Sequence, residues 1–191
     1  MPRLNTANLA EQREWRRNQL ISAAAEIALE SGSDAITVAA VAQKAGFSRT
    51  SVYEYFGSSS ELIADLVIDE LATFSKVLSA AVADCKNPAC VISCWIEAAL
   101  EYIADGRHLL AKALNATSTP SARAQQISIA HRALLAPLIT AVEELGVSDS
   151  RRALTFIQAI TDASTKRIEA GHDAKAEIAY ATSFCISGLT K

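Results

Sequence analysis

Four consecutive residues, Ser48-Arg49-Thr50-Ser51, carry the side chains best suited to chemistry on a polar polymer. Arginine presents a planar fork of donors that matches guanine O6 and N7, and short hydroxyls reach base edges or phosphate oxygens. Thr37, eleven positions earlier, is a residue type that caps a helix and can offer its hydroxyl or amide to a phosphate. Tyr53 and Tyr55 can present phenolic hydroxyls to a backbone, although Tyr55 also fits an inward-facing position.

These groups need elements to aim them, and the stretch Thr37–Leu62 supplies the pattern. Val38, Val41 and Ala42 share one helical face, and Gly46 allows the positive φ of a chain reversal. Ser48 then caps a second short helix, with Val52, Tyr55 and Phe56 inward and Gly57 at its end. Ser58-x-x-Glu61 is a capping-box pattern that opens a further helix. Two short helices around a glycine turn make a helix-turn-helix, whose second helix enters the DNA major groove with its N-terminal residues on the bases.

The run AxxAGFSRTSVYEYFGSSSEL, preceded by AAAEIALESG, resembles the N-terminal DNA-binding segment of the TetR family of transcriptional regulators, over roughly residues 13 to 67. The resemblance implies an all-helical homodimeric repressor whose C-terminal domain binds a small molecule and so releases a palindromic operator. It also implies a dimer interface of four helices, two from each chain. One position departs from the pattern. Where the family usually carries a phosphate-gripping lysine, this chain has Ser59. A hydroxyl or helix-end amide can still meet the phosphate, but without the fixed charge the salt slope of binding should shrink by about 0.9.

Composition sets wider bounds. The 191 residues are half hydrophobic and one-fifth charged, enough for a substantial core and incompatible with disorder. The net charge of −3 argues against a nucleic-acid coat protein. Residues 1–58 balance six cations against six anions, with Arg13, Arg16 and Arg17 clustered near the front, either for phosphate contact or as solvated helix charge. The opening MPRLNTANLAEQREWRR lacks the apolar core of a signal peptide, and no apolar run reaches the ~20 residues of a membrane span. A cytoplasmic protein without membrane attachment is expected.

The spacing predicts a loose arm over residues 1–10, with Arg3 as a possible minor-groove contact, then helices over Glu11–Glu30 and from Ser59 to about Cys85. The latter carries a seam of Ile63, Val67, Leu71, Phe74 and Leu78. Ala89–Asp105 is apolar almost all round and belongs at the centre of a bundle. A short helix is expected over Arg107–Ala116, followed by an STPSA loop. A longer helix follows over Ser121–Leu145, interrupted by Pro137, and then an antiparallel pair, Asp149–Ala170 and Ala174–Leu189. No period-2 pattern occurs, so the fold class is all-α. The division is a DNA-binding domain at 1–58 and an effector-binding and dimerisation domain at 59–191. The last pair, about 149–189, is the expected homodimer surface, which would set two reading helices about 34 Å apart.

Candidate effector-pocket residues are Trp95, Tyr102 and Phe156, on faces read as inward, and His131, a possible hydrogen-bond partner. Plain core packing is the simpler account of each. Cys85, Cys90 and Cys94 lie close in sequence, but no CxxC or HxxxH pattern completes a zinc set, and buried core cysteine is the simpler account. No nucleophile–base arrangement accompanies His108, His131 or His172, so neither an enzyme nor a cofactor is expected. The competing class is a dimeric small-molecule binding protein with weak or lost sequence-specific DNA binding, motivated by Ser59 and the neutral N-terminal half.

Overall fold

Helix-forming side chains dominate the N-terminal stretch, and in the computed structural model, which describes residues 6–107, 110 and 123–189, helix α1 spans Thr6–Ser31. It starts earlier than the expected Glu11, because nothing in TANLA breaks a helix. Arg3, His108 and nearly all of the short helix and loop expected after Arg107 lie outside the described residues. Leu20, Ala24, Ile27 and Ala28 recur at one face of α1 and are buried. Gly32, at φ 81°, ends the helix, and a 3-10 turn over Ser33–Ala35 leads into α2, Val38–Ala45. Then come α3, Arg49–Tyr53, and α4, Ser59–Val82. The chain continues with α5, Pro88–Ala104; α6, Ala124–Glu144; α7, Ser150–Glu169; and α8, Ala174–Leu189. Among the described residues there are eight α-helices and no strand, as the all-α expectation requires.

Two compact units result. One joins the chain up to Glu70 with Leu110–Ile127, and the other joins Leu71–Leu109 with the chain from Ser128 onward. Helix α4 contributes its first half to the first unit and its second half to the other.

The first unit packs Leu20, Ile27, Ile36, Val41, Val52, Phe56, Leu62 and Leu66 into one core. The expected α4 seam is shifted here: Leu62, Ala64, Asp65 and Leu66 are buried, and Ile63 and Val67 only partly. A buried carboxylate requires partners, and Asp65 has two. Arg17 Nη2 of α1 stands 2.9 Å from Oδ2, and Arg123 Nη2 stands 3.0 Å from Oδ1. Each carboxylate oxygen thus holds its own guanidinium. Arg17 is committed to a structural ion pair rather than to phosphate. On the next turn of α4, burial raises the Asp69 carboxyl above its ordinary range, with Arg17 opposing and Asp65 and Glu14 reinforcing the shift.

In the second unit α5 is the central element, burying Ile92, Trp95, Ile96, Ala98, Ala99, Leu100 and Tyr102, as its nearly uniform apolarity predicts. Leu134, Leu138 and Val142 of α6 and Ile157 of α7 pack in the same core, with Ala181 and Cys185 of α8. Pro137 lies inside α6, where it removes one backbone donor without ending the helix. Asp149 caps α7 by accepting from the Arg152 amide at 2.9 Å. Among the described residues no helix is long and apolar enough to cross a membrane.

Candidate nucleic-acid interface

The α2–turn–α3 unit is built by its caps. The Thr37 hydroxyl oxygen accepts from the Ala40 amide at 3.1 Å, and that of Ser48 accepts from the Ser51 amide at 3.1 Å. Each capping oxygen uses a lone pair, so the hydroxyl proton of the exposed Thr37 can still be donated outward. Between them Gly46 sits at φ 73°, ψ 26°, its amide satisfied by the carbonyls that end α2. Val41, Val52 and Phe56 anchor the unit from beneath.

Around that core most of the expected contact residues reach solvent. Ser48, Arg49, Thr50 and Tyr53 are exposed, and Ser51 is half-buried with its hydroxyl 2.9 Å from that of Ser48. Arg49 makes no ion pair among the described residues. Lys44 is committed instead: its ammonium lies 2.7 Å from Glu30 and 3.2 Å from Glu26, and the Glu30 hydrogen bond raises its pKa. Among the described residues, Arg49 is therefore the helix-turn-helix cation without an ion-pair partner. Tyr55 differs from its neighbours, for its ring packs on the core and the Arg13 guanidinium lies 5.8 Å from its centroid.

Ser59 is half-buried at the first residue of α4. The capping box forms with one change. Ser58 Oγ accepts from the Glu61 amide at 3.2 Å, but the Glu61 carboxylate reaches back to the Gly57 amide, at 3.0 Å. Beside the end of α3, Arg13 and Arg16 line a groove with Gln12, Glu54 and Tyr55. Trp15, 58% exposed, stands edge-on to Phe47 at 6.5 Å, a contact the sequence did not announce beyond an aromatic set among arginines.

Bacterial regulatory proteins of the tetR family match this chain over residues 20–66, the segment that carries α2, α3 and the start of α4. Over that segment the chain carries a TetR-family DNA-binding domain. It is a DNA-binding transcriptional regulator. Comparison with curated proteins by sequence finds no match.

Solved structures show the TetR-like fold along almost the whole chain. A Pseudomonas aeruginosa PAO1 protein assigned as a transcriptional regulator superposes with TM-score 0.78 at 17% identity, covering 93% of this chain and 91% of its own. A TetR-like regulator from Rhodococcus sp. RHA1 gives 0.71 at 21%, covering 91% and 95%. FadR from Bacillus subtilis, solved in complex with stearoyl-CoA, gives 0.73 at 21%, covering 89% and 97%. At these identities the likeness is one of fold.

The four residues expected to line an effector pocket are not brought together. Trp95 and Tyr102 are buried on α5, whereas His131 and Phe156 are exposed. Helical periodicity identifies an apolar face but not what covers it, and the face carrying Phe156 looks outward. Trp95 donates its indole N–H to the Leu134 carbonyl at 3.3 Å. Tyr102 stacks on Phe74 of α4, centroids 4.4 Å apart, with the Arg107 guanidinium 4.6 Å from its ring centroid.

The cysteines are closer in space than their spacing suggested. Hydrogen bonding with Cys90, then burial, pushes the Cys85 thiol up to about 12, and burial pushes Cys185 up to about 11. Such thiols stay protonated at neutral pH and are poor nucleophiles.

Proposed function

We propose that the chain acts as a homodimeric repressor that binds a palindromic operator and is released by a largely apolar small molecule. The observation that carries this reading is the exposed face of α3. There Arg49 is free of any described ion-pair partner while Lys44 is neutralised, and at the start of α2 the exposed Thr37 cap keeps a hydroxyl proton to donate. Arg49 would read guanine, with Thr50 and Ser51 on bases or phosphates. Thr37, Ser48, Tyr53 and Ser59 would hold the backbone. Tyr55 would act indirectly, by holding Arg13 in place. Residues 1–58 form the reading head in this scheme, and 59–191 the effector-binding and dimerisation part.

Dimerisation is supported by the outer face of α7 and α8. Phe156, Tyr180 and Phe184 are each more than half exposed, and a groove of about 440 Å³ runs between Ala153, Phe156, Ile160, Phe184 and Gly188. Aromatic side chains at a small-residue groove suit a second copy of the same pair. For the effector, Trp95 and Tyr102 remain the candidates. Entry of an apolar chain beside the stacked Phe74–Tyr102 pair would displace α4, and differential affinity for the two arrangements would drive release. A long-chain acyl-CoA is a reasonable first probe, given the ligand of the Bacillus subtilis FadR structure.

Selection of bound duplexes from a random pool, followed by a salt series, tests the proposal. A two-fold motif bound more tightly than scrambled DNA is the expected result. Equal affinity for both would leave only the small-molecule binding protein without operator recognition.

A further inference from the structure

Where α4 turns into α5, three sulfurs converge. Cys85 lies in the turn, and Cys90 and Cys94 are stacked four residues apart on α5. Cys90 Sγ is 2.7 Å from Cys85 Sγ and 3.9 Å from Cys94 Sγ, and all three lie within 4.8 Å of one another. Asn87 fixes the register by accepting from the Cys90 amide at 2.9 Å, so the first turn of α5 faces back toward Cys85. All three cysteines are half-buried, with a route from solvent.

We propose that Cys85, Cys90 and Cys94 form a three-thiolate site for a soft, thiophilic cation of the zinc and cadmium class. Zinc–sulfur bonds of about 2.3 Å place tetrahedral sulfur neighbours roughly 3.8 Å apart, inside the range spanned by these three atoms. Thiolates select soft ions, and three protein ligands leave a fourth position for water. Binding replaces three S–H bonds by three metal–sulfur bonds and delivers three protons to the buffer; nothing is oxidised or reduced. A disulfide would use two of the sulfurs, require an external oxidant and leave the position of Cys94 unexplained. The site shares no residue with the helix-turn-helix or with the α7–α8 groove, and it braces the α4–α5 turn.

The test uses the reduced full-length chain titrated with Cd2+, reading sulfur-to-metal charge-transfer absorption, native mass and thermal unfolding, with Zn2+ as competitor. One ion per chain is expected, displaced by Zn2+ and accompanied by a higher unfolding midpoint. Cys85→Ser, Cys90→Ser and Cys94→Ser, each checked for helicity, should weaken binding by more than roughly tenfold. Cys185→Ser, at a buried cysteine that is not a member of the cluster, should leave binding intact. Absence of a one-to-one complex, or unchanged binding in Cys94→Ser, overturns the proposal. So does a reduced protein that takes up no Cd2+ and instead forms a Cys85–Cys90 disulfide in air.

Discussion

At the residue scale, the proposed reading puts the regulator's selectivity on Arg49. Its charge has no described partner, while the other helix-turn-helix cation, Lys44, is held by Glu30 and Glu26. Arg49→Ala is expected to lower discrimination between operator and scrambled duplex by about 1–3 kcal/mol, the worth of one bidentate guanine contact. Fluorescence anisotropy on the two duplexes measures this, and sedimentation should show unchanged assembly. Ser59→Lys tests the complementary, sequence-blind term. Restoring one phosphate-neutralising charge should steepen the salt slope by about 0.9 on operator and random DNA alike. Residue types and local spacing made the caps legible in advance, because Thr37, Gly46 and Ser48 act within three or four residues of their partners. The Asp65 site was not legible: Arg17 and Arg123 lie 48 and 58 positions away, and only the tertiary fold brings them to one carboxylate.

At the scale of elements, turns and pairings fix how the helices are presented. Gly46 holds a left-handed conformation with open space around the position of a side chain. The cost of Gly46→Ala is therefore purely conformational, about 1 kcal/mol, and Gly46→Asn should cost less. Urea unfolding of the two variants gives the comparison. Helices α7 and α8 are joined by Arg167, which donates to Glu177 Oε1 at 2.7 and 2.8 Å. That hydrogen bond holds the Glu177 carboxyl below its ordinary value of 4.5. A depressed carboxyl contributes stability that is complete above the unfolded value and is lost as pH falls through the native one. Arg167→Ala should therefore flatten the acid limb of the stability profile below about pH 4.5, read from urea midpoints across a pH series. Among the described residues, helix order was readable from apolar spacing and glycine stops. The break between α4 and α5 was readable too, but not the folding of Cys85 back onto Cys90, which depends on a cap rather than on periodicity.

For the whole molecule, the decisive unknown face is that of α7 and α8, where Phe156 was read as inward but is 61% exposed. A helix that packs on its own core and on a second copy shows two apolar faces, and one sequence cannot say which is which. Here Ile157 is buried in the core, while Phe156 joins Phe184 at the outer groove, the face that the proposal gives to the second copy. This makes a variant available that acts on assembly alone. Phe156→Glu alters a side chain already largely in water, so monomer stability should change by less than about 0.5 kcal/mol and helicity not at all. In a two-fold interface the same substitution enters twice, setting like charges against each other across the axis. Sedimentation should then report a monomer. A monomer carries one reading helix, so it should bind a half-site as the native protein does and lose the gain from the full palindrome, which tethering two heads raises by roughly 10² or more. A Phe156→Glu protein that remains dimeric and binds the palindrome undiminished would place the assembly surface elsewhere on the chain.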